Sequence, residues 1–147
     1  MKRLFRFIYE EVLYDSRYQL IYDAMHNDQG YIFIGLVFIV IPIFIIGIFY
    51  LDRWFPYLKA RHWMLAVALG LIIVFASTVA IFNSMIFGSG DQQLASVLAN
   101  PDSGYYEHAS FLRYYYGFYN MLLAFILSLI YSIIFKRFSK LHSHLPI

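Results

Sequence analysis

Four side chains able to carry protons or hold a cation fall in one stretch: Asp91, Asp102, Glu107 and His108. Carboxylates beside an imidazole are the ingredients of a proton relay or a divalent-cation site. Their spacing matches no ligand pattern, and they read as solvated loop charges. His142 and His144, near the C-terminus, make a weaker pair of the same kind. The glycines form neither a phosphate loop nor a dinucleotide fingerprint. No serine sits in a nucleophile-elbow context, and there is no His-Glu-x-x-His. With no cysteine, thiolate chemistry and disulfides are excluded. The residues therefore give no catalytic group, no metal-ligand set and no cofactor, and the expected protein is not an enzyme. The remaining polar candidates are amides and hydroxyls: Ser77, Thr78, Asn83, Ser84, Asn120, Ser128, Tyr131 and Ser132.

The elements that must position these groups are unusually apolar. Of 147 residues, 61% are hydrophobic and only 14% charged, against about 25% charged in a soluble domain. Three runs, 31–51, 63–87 and 117–135, contain no Asp, Glu, Lys, Arg or His. A span needs about 20 mostly apolar residues to cover a hydrocarbon core of about 30 Å. The expected fold is all-α: an integral membrane helical bundle with three transmembrane helices, an N-terminal amphipathic helix and a short helix in the second loop. One membrane domain covers 1–147, with 1–30 interfacial, 88–113 an outer loop and 136–147 a basic tail.

Each span has its own character. The first contains Pro42, which frees the carbonyl of Phe38 and predicts a kink near mid-membrane. The second carries Ala66, Gly70, Ile73, Ser77, Ala80 and Ser84 at separations of 4, 3, 4, 3 and 4, a small-residue seam. In lipid, close backbone approach along small residues carries helix packing, and this alternation predicts a left-handed crossing of about 20°. The third carries Ala124, Ser128 and Ser132 on one ridge at steps of four. Asn83 and Asn120 close and open facing spans. Antiparallel packing would bring them to similar depth, as an interhelical hydrogen bond or as the polar mouth of a pore.

The flanks are patterned too. Leu4, Phe5, Ile8, Tyr9, Val12 and Leu13 share one helical face, with Arg3, Arg6, Glu10 and Glu11 opposite. After Tyr14 the stripe rotates to Tyr14, Tyr18, Ile21, Tyr22 and Met25. One straight helix cannot bury both stripes, so a bend near Tyr14 or two docking surfaces are expected. Acidic residues from Glu10 onward break the pattern of a signal peptide, so none is expected to be cleaved. Asp91–Leu98 reads as a short helix, ended by Asn100-Pro101-Asp102-Ser103-Gly104. Tyr105, Tyr106, Tyr114, Tyr115, Tyr116 and Tyr119 form an aromatic belt before the third span.

Topology follows from the basic residues. Within about 15–20 residues of a span, Arg53, Lys59, Arg61, Lys136, Arg137 and Lys140 flank one side, against Arg17 and Arg113 on the other. Lys2, Arg3 and Arg6 pull the other way but lie far from any span. The positive-inside rule then puts the first loop and C-terminus in the cytoplasm and the N-terminus outside. The expected location is the bacterial inner (plasma) membrane. The lipid bilayer and other integral membrane proteins, or copies of the chain itself, are the expected partners. Basic residues are few and explained by topology, so nucleic acid is not among them. Three spans bury few faces among themselves, which points to a subunit, scaffold or assembly factor. An oligomeric channel or transporter, or an immunity-type protein against a pore-forming toxin, are the alternatives. The absence of charge within the spans argues against a pump.

Overall fold

A computed structural model describes residues 7–9, 14–27, 29–51 and 60–138. Every regular element among them is helical. A 3-10 turn at Ser16–Tyr18 leads into α1 (Gln19–Asn27), followed by α2 (Gly30–Leu51) and α3 (Ala60–Ile86). Then come α4 (Gln92–Ala99), a second 3-10 turn at Pro101–Ser103, and α5 (Tyr105–Phe138). Residues 7–9 are helical as well. The basic loop 52–59 and the tail 139–147, with His142 and His144, lie outside the described residues. So do Leu4, Phe5, Val12 and Leu13 of the first apolar stripe.

Helices α2, α3 and α5 are each long and apolar enough to cross a membrane, and each packs against the other two. Their register follows from side chains that meet. Gly30 faces Met85 and Gly70 faces Ile45, so α2 and α3 run antiparallel. Trp63 bonds Ser132 and Thr78 bonds Asn120, so α3 and α5 are antiparallel too. Outward from this bundle point large apolar side chains on all three helices, among them Phe44, Ile48, Leu65, Leu69, Ile72, Phe118 and Leu122. Acyl chains are the solvent that suits such a surface. Pro42 is buried within α2, which continues through it as one helix.

At 34 residues α5 is about 51 Å long, against about 30 Å of hydrocarbon. Its first turns stand beyond the apolar run and are met by α4 and by the Tyr18 and Tyr22 side chains. The cap has its own fixings. The Asp91 carboxylate accepts from the backbone N–H of Gln93 at 2.8 Å, starting α4. Asn100 caps the second 3-10 turn, and the Ser103 hydroxyl donates to the carbonyl of Val97 at 2.6 Å. Gly104 then turns the chain with φ +69°, a left-handed conformation that suits glycine. Leu94 of α4, and Ala109 and Leu112 of α5, are fully buried in this layer.

The N-terminal chain does break where its apolar stripe rotates. Tyr14 and Asp15 are not helical, and Asp15 is extended as the N-cap of the Ser16–Tyr18 turn. The second stripe then docks on the chain's own bundle: Ile21, Tyr22 and Met25 are buried, and only Tyr14 stands exposed. The second stripe therefore has an internal home.

Candidate functional site

The bundle is joined across all its elements at Asn120. The carbonyl of Ile34 can only accept, so the amide nitrogen of Asn120 must face it, at 3.1 Å. The same nitrogen donates to the Thr78 hydroxyl at 2.9 Å. That leaves the amide oxygen to accept from the Tyr9 hydroxyl, at 2.6 Å. One buried amide thus links α2, α3, α5 and the N-terminal segment, and Asn120 and Thr78 are both fully buried.

Tyr9 reaches this point through an aromatic cleft. Its ring stacks on Tyr31 of α2 at 5.9 Å and meets the edges of Tyr116 and Tyr119 of α5 at 5.2 and 6.1 Å. Only 2% of Tyr9 is exposed. Burial pushes its phenol well above the ordinary value, outweighing the Asn120 hydrogen bond that lowers it, with Tyr119 raising it further. The group is a neutral donor in this setting.

A second polar cluster lies toward the other end of the bundle. The Trp63 indole donates to the Ser132 hydroxyl at 2.8 Å, and that hydroxyl donates to the carbonyl of Ser128 at 2.7 Å. Ser128 in turn donates to the carbonyl of Ala124 at 2.8 Å. These bonds satisfy hydroxyls within their own helix turn. Ala124, Ser128 and Ser132 all face inward and are buried. The third-span ridge is therefore an internal surface.

The second-span seam is divided. Its bundle-facing stripe is Trp63, Val67, Gly70, Val74, Thr78, Phe82 and Ile86, and shares only Gly70 with the six seam positions. A Cβ at Gly70 would lie 3.1 Å from Ile45 of α2, so this glycine serves α2–α3 packing. Ala66 and Ser77 are half-buried at the edge, whereas Ile73, Ala80 and Ser84 face outward.

Asn83 and Asn120 do not meet. The antiparallel register sets Thr78 opposite Asn120, five residues earlier on α3 than Asn83. Asn83 instead accepts from Arg113 at 3.2 Å. Its backbone carbonyl takes the N–H groups of Phe87 and Gly88, both at 3.0 Å, closing α3. Thr78 is the partner that spacing alone missed. Tyr9 is the other, and a buried polar residue in an apolar stripe was the only signal for either.

The four loop ionisables also go separate ways. Asp91 is used as a helix cap, and Asp102 and Glu107 are exposed. His108 lies against the Tyr18 ring at 4.0 Å, with its Nε2 3.1 Å from the Tyr22 hydroxyl. Among the described residues no three His, Asp or Glu side chains gather closely enough to hold a metal ion. Nearby, the Arg17 side chain holds the Asp15 carboxylate in an ion pair at 2.7 Å. No family model, curated protein or solved structure matches the chain.

Proposed function

We propose that the chain is a small non-enzymatic multi-pass membrane protein that serves as a subunit, scaffold or assembly factor. It meets other integral membrane proteins, or further copies of itself, by helix–helix packing. The observation that supports this reading is the outward face of α3. Ala76, Ala80 and Ser84 are exposed there in steps of four, amid the large apolar side chains of the remaining surface. Small residues in such steps let a second helix approach closely, and that packing is what drives association in lipid. A face meant only for acyl chains gains nothing from them.

In this proposal the protein sits in a bacterial inner membrane with its N-terminus outside and its C-terminus cytoplasmic. Arg61, Lys136 and Arg137 mark the cytoplasmic end, in keeping with the positive-inside rule. The polar side chains that a conducting path would need are largely committed. Asn120, Thr78 and Ser132 bond across helices, and Ser128 bonds its own backbone. Ion flux through the reconstituted protein is therefore expected at background.

Purification in mild detergent followed by mass determination tests the reading. A mass above the 17.4 kDa of one chain is expected. Ala80→Leu should weaken that association about tenfold, corresponding to the 1–2 kcal/mol of model transmembrane pairs. Gly70→Leu does not test it, because that position packs internally. A lone chain at every concentration, or association indifferent to Ala80→Leu, overturns the proposal.

A further inference from the structure

We infer that Arg113 seats the phosphate group of a membrane lipid. Arg113 lies on α5 one turn before the apolar run 117–135, and opposite Asn83 in the last turn of α3. That is the headgroup level, where Phe87 and Tyr114 also stand. The guanidinium lies over the Tyr114 ring at 4.5 Å and near the Phe87 ring at 5.7 Å. It donates to the Asn83 amide oxygen at 3.2 Å and to the Tyr114 hydroxyl at 3.0 Å. Both acceptors are neutral. Among the described residues, no carboxylate forms an ion pair with Arg113; the pair they do contain is Arg17 with Asp15.

The side chain is thus a half-buried guanidinium fork that, among the described residues, is held in place without a carboxylate partner. Its Nε is buried with no acceptor. Two of its five N–H donors are engaged, which leaves hydrogens on both terminal nitrogens for a further acceptor. A partly desolvated cation gains from a counter-charge. The planar fork matches two phosphate oxygens at once, and gains most from an ionised acceptor. At this depth the abundant anion is the lipid phosphodiester. The aromatic rings fix the plane of the fork, while Asn83 and Tyr114 fix its rotation. Arg17 also lies near a ring, that of Tyr18 at 5.7 Å, but it is exposed and already paired with Asp15.

The inference rests on the membrane-embedded reading of the chain, and the test separates the two. The full chain in dodecyl maltoside is offered three lipids with identical acyl chains: phosphatidylglycerol, phosphatidylcholine and a digalactosyl lipid without phosphate. Native mass spectrometry then counts the lipids retained. Both phosphate lipids are expected to be retained about fivefold over the galactolipid, as suits one basic residue at an anionic surface. Arg113→Gln should bring them down to the galactolipid level, and Arg17→Gln should leave the preference unchanged. Equal retention of all three lipids by the wild type overturns the phosphate seat but not the embedding. Retention of no lipid at all overturns the embedding and the seat with it. The wild-type comparison decides even if Arg113→Gln fails to fold. Displacement of the phosphate lipids by millimolar inorganic phosphate would assign the site to a free anion and overturn the lipid assignment.

Discussion

The residue that most organises this molecule is Asn120, whose amide is shared between Tyr9, Thr78 and the Ile34 carbonyl. Its three bonds have unequal consequences when lost. Tyr9→Phe removes one donor and keeps the ring in its aromatic cleft, so a loss of about 0.6 kcal/mol is expected, the average for interhelical bonds in membranes. Asn120→Ala removes all three bonds and leaves Tyr9 and Thr78 without their partner. A loss of about 1–2 kcal/mol is expected there. Unfolding in mixed micelles measures both, and equal effects would mean that the amide is not shared. Asp15 offers a test in water. The Arg17 side chain and then its backbone N–H hold the Asp15 carboxylate down, to about 2. The pair contributes fully above the ordinary carboxylate value and is lost as pH falls through about 2. Titration of Asp15 by NMR should place its midpoint there, and Arg17→Gln should return it to the ordinary range.

At the scale of elements, the three long helices were legible because length and absence of charge suffice to find them. Which face of each turns inward was not. In a soluble helix the apolar stripe marks the core, but in lipid both faces are apolar and that periodicity vanishes. On α3 the small-residue seam therefore coincides with the core only at Gly70, and large residues such as Phe82 and Ile86 fill the interface. The matching small residue is on the partner helix. Gly117 of α5 lies under the Phe75 ring, and a Cβ there would come within 2.7 Å of it. Gly117→Val should cost about 1–3 kcal/mol by overpacking, and Phe75→Leu should recover part of that loss. Melting of the single and double variants in detergent checks this coupling. The loop signals read well for a related reason: Asp91, Asn100 and Gly104 act through local backbone geometry, which does not depend on the solvent.

At the scale of the whole molecule, the chain is a bundle closed at one end by its own N-terminal segment. Sequence patterning singled out Tyr9 and the second N-terminal stripe as apolar faces, yet could not tell a lipid surface from the α2–α5 cleft, since either would accept tyrosines. The polar element decides it: the Tyr9 hydroxyl needs an acceptor, and Asn120 supplies one that the bilayer core cannot. Deleting residues 1–27 should therefore separate insertion from stability. The three spans carry their own hydrophobic free energy and should remain protected from protease in vesicles. The thermal midpoint should fall further than for Tyr9→Phe, because the deletion also uncovers the surface on which Ile21, Tyr22 and Met25 are buried. Adding the missing segment as a separate peptide should restore part of the midpoint, because its contacts with the bundle do not need the covalent link. A deletion that melts like the full chain would mean that the segment lies on the bundle without holding it together.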